Sequence, residues 1–427
     1  MAVVCMASDS NTTRLVSFPP LNYDQFDITQ TNWALAIGTA LATVPFSEVY
    51  SRFGAKYPFF GACVLSALAT VAIPFGAEAG FAWLLFLRFL QGIAFAADFA
   101  SVGLVCSKWS TLKQSGLFIS LVTCYAPLSV GFTNVMSGYV CDSSFGWPMV
   151  YYIHAAIGVV AAFLWLVYYK DTPAKSIRVS AKELQKIQKG RADKELSYNE
   201  TTPYLRLLRD PIIWSIWCNG CIEVFATNFL SVYAALYMRY ALGYSVELTG
   251  FYSGISKSMQ MPTRILVGLF GHKISCISER QRVVLYNSIA LIGGGISMFL
   301  IPISAYSSAF LAVFFIGLVN FCTGVASCGF YHAAILYSRQ HCHFVMAVIL
   351  FSQCANLFIG PLLTAVFVPV MEDMTQWAGI YIVSGILMVV CGLAFIKYSE
   401  IAPPPYLTEI KKITVEVPVD DSAKLKL

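Results

Sequence analysis

The chain reads as an all-α membrane protein with eleven predicted transmembrane helices, and three observations carry that reading. Of its 427 residues, 57% are hydrophobic and only 12% are charged, against about 25% charged in a typical soluble domain. The mean hydropathy is +0.67. The apolar residues gather in long runs, as a helix of about 20 residues crossing a bilayer requires, and the loops between the runs alternate in charge. A transmembrane barrel would show short alternating segments instead.

Residues 1–31 are polar and contain the sequon Asn11-Thr12-Thr13. Their start is too short and too polar for a signal peptide. Five apolar runs follow, at residues 32–50, 57–77, 82–106, 116–138 and 147–169. A polar insertion at 170–210 is rich in Lys and Arg, and its part at 180–190 has the helical spacing of a segment lying along a membrane surface. Six more runs occupy 211–237, 249–270, 283–303, 307–331, 344–369 and 376–398, and residues 399–427 form a polar tail. The chain thus divides into a first bundle of five spans at 32–169, the central loop, and a second bundle of six at 211–398.

One set of loops holds Arg52, Lys56, Lys108, Lys113, the basic insertion, Lys273, Arg280, Arg282, Arg339 and the lysines of the tail. The opposite set holds Glu78, Asp142, Glu247, Glu372 and Asp373, with Arg14 and Arg239 as its basic residues. By the positive-inside rule the basic set faces the cytosol. The N-terminal segment is then extracytosolic, the tail is cytosolic, and Asn11 is placed for glycosylation, whereas the second sequon at Asn199 is not. The net charge of +5 orients the chain and is no sign of nucleic-acid binding. Most of the 13 cysteines lie inside apolar runs, where they read as small buried hydrophobes rather than a disulfide framework. Phe53-Gly54-Ala55-Lys56 and Phe270-Gly271-His272-Lys273 occupy equivalent places in the two halves, as a parallel duplication would put them.

Several stretches resemble the major facilitator superfamily, and within it the anion:cation symporters, which include sialic-acid, vesicular glutamate and type I sodium–phosphate transporters. Ser51-Arg52-Phe53-Gly54-Ala55-Lys56 is similar to the superfamily's loop signature, and Arg88-Phe89-Leu90-Gln91-Gly92 to the family's arginine motif. Ser107-Lys108-Trp109, Gly146-Trp147 with Tyr151 and Tyr152, and Thr172-Pro173-Ala174-Lys175 extend the likeness over nearly the whole chain, closest to the invertebrate branches. The resemblance implies a two-bundle transporter working by alternating access, with a conformational-gating loop at Arg52, Gly54 and Lys56. Three departures stand out. The acid that usually precedes the loop arginine is Ser51, and the glutamate and glycine expected seven residues after Arg88 are Phe95 and Ala96. Met1–Met6 resembles the last turn of the family's first helix, so eleven spans are expected in place of twelve.

Charged residues inside the spans are functional candidates by default, because burying a charge in lipid is costly. Arg88 offers a planar, permanently charged fork suited to carboxylate or phosphate. Lys257 and Arg264 lie seven apart on one helical face; facing a cavity they would attract an anion, while Arg264 would otherwise snorkel to the interface. Asp98 and Glu223 are candidates to carry a coupling H⁺ or Na⁺. For Asp98 the competing role is an ion pair with Lys257, and for Glu223 a hydrogen-bonded structural acid. His154 and His332 read as hydrogen-bonded core residues, and His341-Cys342-His343 are too close in sequence to surround one metal ion. No nucleotide-binding loop or catalytic triad pattern is present. Pro403-Pro404-Pro405-Tyr406 ends the last helix or offers a docking segment to a WW domain.

The expected function is secondary active transport of a small organic anion or inorganic phosphate, coupled to H⁺ or Na⁺, across the plasma membrane or a vesicle or lysosome membrane. No enzyme activity and no cofactor are expected. The alternative is a non-transporting short form acting as a partner or regulatory subunit of a full-length transporter. The charge asymmetry makes a direct prediction. Endoglycosidase treatment is expected to sharpen and speed the electrophoretic band of the wild-type chain, Asn11→Gln to abolish that shift, and Asn199→Gln to leave it intact.

Overall fold

The computed structural model describes residues 23, 25–109, 118, 121–176, 178–188, 204–271, 277–338, 342–402 and 404. Among them there is no strand. Asn11, Asn199, the Met1–Met6 stretch, His272, Lys273, His341, Pro403, Pro405 and Tyr406 lie outside the described residues.

The first half consists of α1 (Gln25–Phe53), α2 (Lys56–Ala79), α3 (Phe81–Trp109), α4 (Tyr125–Asp142) and α5 (Gly146–Tyr168). Two short helices follow, α6 (Ala181–Gln188) and α7 (Tyr204–Arg209). The second half opens with α8 (Pro211–Leu236), which runs on through a π turn at Tyr237–Ala241. Next come α9 (Val246–Ser258) and α10 (Gln260–Phe270), then α11 (Glu279–Ser288) and α12 (Gly294–Ala305), joined by a π turn at Ile289–Gly293. Finally, α13 (Ala309–Thr323) leads through a 3₁₀ turn into α14 (Phe330–Ser338), and α15 (Cys342–Phe367) precedes α16 (Met374–Tyr398).

Among the described residues eight helical rods are long and apolar enough to cross a membrane. The expected spans at 32–50, 116–138 and 249–270 fall outside that set. Where described they are helical too, in α1, α4 and α9–α10, but more polar: α1 carries Asp27, Glu48 and Arg52, and α9–α10 carry Glu247, Lys257 and Arg264. A helix packed among other helices tolerates such residues; one facing lipid does not. By contrast α5 turns Val160, Phe163 and Val167 outward, as a lipid-facing helix does.

Local chemistry explains the boundaries. Asp210 caps α8, its Oδ1 accepting from the Ile212 N–H at 2.9 Å, while Pro211 sits at the first helical position where no N–H is needed. Ser278 and Gln281 form a reciprocal capping box on α11. Asp373 caps α16, and hydrogen bonds from Thr375 hold its carboxyl below the usual carboxylate range. The expected span at 249–270 is interrupted at Met259. Pro262, four residues after Ser258, has no N–H to give the Ser258 carbonyl. The span expected to end at residue 331 continues to Ser338, and α6 occupies the part of the central insertion read as helical. Cys141, at the end of α4, is disulfide-bonded, an exception to the reading of the cysteines as buried hydrophobes.

Helix packing follows one plan in both halves. In the first, α1 and α2 pack on α3, α2 on α5, and α4 on α5. In the second, α9 and α12 pack on α13, α12 on α16, and α15 on α16. The halves meet where α4 lies along α9 and where α1 meets α15. Helix α8 packs on α15 and α16.

The α4–α9 seam is made of glycine. A Cβ added at Gly250 would stand 2.7 Å from Gly138 Cα, and one at Gly254 would stand 2.7 Å from the Gly131 carbonyl oxygen. Small residues let backbones approach this closely, and that approach is the main source of helix association inside lipid. Gly250→Leu is therefore expected to destabilise the protein by about 1–3 kcal/mol through overpacking, read as a lower midpoint of thermal unfolding in detergent. Gly61→Leu, where an added Cβ meets nothing within 4 Å, is expected to leave the midpoint in place.

Candidate substrate-binding site

Two groups of charged residues lie within the helices. The first surrounds Arg88 on α3. Its Nη2 donates to the Tyr151 hydroxyl of α5 at 3.4 Å, and its Nη1 to Gln91 Oε1 at 3.2 Å. Gln91 is held in turn, its Nε2 donating to Thr70 Oγ1 of α2 at 2.8 Å. Trp147 packs edge-on against the Tyr151 ring, with centroids 6.0 Å apart. The Arg88 Nε is buried and has no hydrogen-bond partner. Among the described residues Arg88 joins no ion pair. Among the described residues the guanidinium is thus oriented by neutral groups and meets no ion-pair partner.

The second group belongs to the other half. Glu223 on α8 and Lys257 on α9 are only 3% and 7% exposed. Lys257 Nζ donates to the Thr227 carbonyl at 3.5 Å, and Thr227 Oγ1 donates to the Glu223 carbonyl at 2.9 Å. Arg264 on α10 and Lys257 both lie within electrostatic reach of the Glu223 carboxyl, and Tyr331 on α14 adjoins Glu223 and Arg264.

Arg264 joins this group to the first half. Its Nη1 donates to the Thr123 carbonyl at 3.3 Å, just ahead of α4. Tyr125, in the first turn of α4, lies near Arg264 and donates its hydroxyl to the Asp98 carboxylate of α3. Asp98, Tyr125, Arg264 and Glu223 thus lie in turn within electrostatic reach of one another, across the seam between the halves. Arg264 is partly buried, with Thr123 as its hydrogen-bond partner.

The structure separates what the sequence left free to meet. Asp98 faces Tyr125 and Lys257 faces Thr227, so the ion pair weighed between Asp98 and Lys257 is not formed. Arg88 keeps its polar contacts in the first half and Lys257 in the second. His154 is satisfied within the core, its ring nitrogens bonded to the Val150 carbonyl at 2.7 Å and to Thr133 Oγ1 at 2.9 Å. His332 approaches Glu279 at 3.6 Å.

The loop at Arg52, Gly54 and Lys56 is held from a direction the sequence did not indicate. Gly54 has φ +76°, a left-handed conformation suited to glycine. A Cβ there would come within 2.6 Å of the Asp171 carboxyl. Asp171 Oδ1 accepts from the N–H groups of Ala55 at 2.7 Å and Lys56 at 3.1 Å, capping α2. Trp165 Nε1 donates to the Lys56 carbonyl at 3.1 Å, and Trp109 Nε1 to the Lys170 carbonyl at 3.2 Å. Arg52 pairs with Glu48 on the exposed face of α1, at 2.6 Å.

Sequence reasoning missed Tyr125, Tyr331, Thr227 and Asp171 as members of these groups. The tyrosines and the threonine are unexceptional in apolar runs, and Asp171 lies far from the loop along the chain. Tyr151 and Gln91 were legible as parts of motifs, but not as the partners that orient Arg88.

The family model described as Major Facilitator Superfamily matches residues 1–361. Among curated relatives, the chain is 25% identical over 236 residues to the mouse probable small intestine urate exporter, covering 55% of this chain and 48% of that protein. It is 27% identical over 221 residues to human sodium-dependent phosphate transport protein 1, covering 51% and 46%, and 24% identical over 315 residues to human sialin, covering 72% and 62%. The chain thus spans about half the length of the first two of these relatives. Among solved structures, a D-xylose–proton symporter superposes with a TM-score of 0.62 at 15% identity, covering 88% of this chain and 87% of that one. A bacterial homologue of the human lysosomal transporter Spinster gives 0.59 at 14% identity, covering 88% and 91%. These two likenesses concern the fold alone.

Two pairs of charged residues make opposite predictions for coupling. A double-mutant cycle of Glu223→Gln with Lys257→Met is expected to show an interaction energy of about 0.5–3 kcal/mol. The cycle of Asp98→Asn with Lys257→Met is expected to be additive. Both are read from thermal unfolding in detergent.

Proposed function

We propose that this chain, which belongs to the Major Facilitator Superfamily, a superfamily of membrane transporters rather than enzymes, is a secondary active transporter of a small organic anion or inorganic phosphate. Transport proceeds by alternating access and is coupled to H⁺ or Na⁺. The observation that carries this reading is Arg88. A guanidinium inside the helices, aimed by Tyr151 and Gln91 and without a carboxylate partner among the described residues, is an electrostatic vacancy that an anion fills. Relatives named for urate and phosphate support an anionic cargo.

Arg88 then binds the charged end of the solute, and Lys257 and Arg264 add positive potential from the second half. Asp98 and Glu223 are the carboxylates available to a coupling ion, and each belongs to the polar groups that meet across the seam. Rocking the halves about that seam changes the Arg264–Thr123 contact, so the occupancy of the carboxylates and the state of the seam depend on one another. The loop at Arg52, Gly54 and Lys56, clamped by Asp171, keeps the first half rigid as it moves.

The test is uptake of labelled phosphate and of labelled organic anions, urate among them, into cells or proteoliposomes, at two pH values and with or without Na⁺. Arg88→Ala is expected to lower uptake by about 10- to 100-fold at equal surface expression, the equivalent of the ~1.5–3 kcal/mol of hydrogen bonds to a charged group. Arg88→Lys is expected to recover little, because it lacks the planar fork. Equal uptake by wild type and Arg88→Ala would remove Arg88 from the site.

A further inference from the structure

The short helix α7 and the start of α8 form a small amphipathic platform at one end of the second half. Pro211 opens the apolar rod that runs to Ala241, so α7 lies just outside a segment able to cross a membrane. Leu207 is fully buried, and Asp210 is buried after it, accepting from the Ile212 N–H at 2.9 Å and from the Tyr337 hydroxyl of α14 at 2.8 Å. Aromatic rings pin the helix in place. Tyr204 meets Phe344 of α15 edge-on at 5.0 Å, Phe344 meets Trp217 of α8 at 6.0 Å, and Trp217 meets Trp214 at 5.5 Å. Trp214 Nε1 closes the circuit by donating to the Leu208 carbonyl at 2.7 Å.

The outward surface carries two kinds of side chain. Leu205, Leu208 and Trp214 are apolar and exposed, Leu205 by 68%. Arg206 and Arg209, three residues apart and so on one side of the helix, are exposed as well and join no ion pair among the described residues. The carboxylate beside them in sequence, Asp210, is held inside by its own hydrogen bonds. Exposed leucine and tryptophan next to exposed arginine is the arrangement of a helix lying at a membrane surface, its apolar side at the acyl boundary and its cations among the headgroups.

We propose that Arg206 and Arg209, with Leu205, Leu208 and Trp214, form a binding site for an anionic phospholipid, the arginines holding the headgroup and the apolar side chains lying along the acyl chains. Charge complementarity selects this occupant. Guanidinium groups bind phosphate and carboxylate with paired hydrogen bonds. A zwitterionic lipid brings a cation of its own that opposes them, and a soluble anion would leave the apolar side chains in water. The loop charges assign this end of α8 to the cytosol, whose leaflet is the anionic one. The site lies outside the apolar rods that hold Arg88 and Glu223 and does not depend on what is transported. On α6, Lys182 and Lys186 are exposed too, but no large apolar side chain is exposed beside them, so that helix offers charge without the apolar half of the site.

The test reconstitutes the full chain in phosphatidylcholine nanodiscs in which a minor share of the lipid is brominated near the headgroup end of its chains, as either phosphatidylserine or phosphatidylcholine. Bromine quenches tryptophan at contact range, and Trp214→Phe identifies the share of quenching that belongs to Trp214. Wild type is expected to enrich brominated phosphatidylserine around Trp214 by about 10- to 30-fold over phosphatidylcholine, the attraction of two basic side chains near the surface. Arg206→Gln with Arg209→Gln is expected to lose that enrichment while quenching by brominated phosphatidylcholine stays unchanged. Lys182→Gln with Lys186→Gln removes the same charge and is expected to keep it. Equal quenching by the two lipids in wild type overturns the proposal, and so does an equal loss in both double variants, the mark of diffuse attraction rather than a site. Glycerophosphoserine and inorganic phosphate, added at the concentration of the lipid, are expected not to displace it; displacement by either overturns the lipid assignment in favour of a soluble anion. Should the double arginine variant fail to fold, Arg206→Gln and Arg209→Gln are measured singly. Each is then expected to lose about threefold or more of the enrichment, and full retention in both refutes the site.

Discussion

The backbone contact between α4 and α9 is the constraint on which the rest of this structure depends. Inside lipid there is no hydrophobic gain in bringing two apolar helices together, so association relies on close van der Waals contact. Gly138 against Gly250 and Gly131 against Gly254 supply it. They place the start of α4 beside α10, and this brings the Thr123 carbonyl to Arg264 and Tyr125 between Arg264 and Asp98. The polar groups across the seam are brought together by glycine packing about two to four turns away.

Buried charge is treated differently in the two halves. In the second, Glu223 stands among Lys257, Arg264 and Tyr331, so charges of both signs offset one another. In the first, Arg88 is surrounded by Tyr151, Gln91 and Thr70, which orient it without neutralising it. The difference matters because a compensated group is a structural and ion-handling unit, while an uncompensated cation is a demand for an anion.

Much of the fold was legible in the sequence. Long apolar runs pointed to helices, and among the described residues eight rods are long and apolar enough to cross a membrane, because hydropathy over 20 residues is insensitive to detail. The errors fell where one residue outweighs the average. Pro262 precedes no run boundary yet interrupts its span at Met259, and α14 carries the ninth span on to Ser338 past a 3₁₀ turn that hydropathy does not register. The loop motif at Gly54 was visible, but Asp171, which holds it, was not, since the two meet only through the packing of α2 on α5.

Arg88, Asp98, Glu223, Lys257 and Arg264 were identifiable from the sequence alone, since charge inside an apolar run is costly wherever it sits. Which of them meet was decided only by the tertiary structure. Helical periodicity relates residues on one helix and says nothing about rotation toward a neighbour. It was the placing of α5 beside α3 that gave Arg88 its tyrosine, whereas its glutamine lies one turn on along α3 itself. The packing of α9 on α4 sent Arg264 across the seam and kept Lys257 away from Asp98. The all-α membrane fold follows from composition, whose energetics are additive along the chain; the site follows from contacts between helices, whose geometry is not.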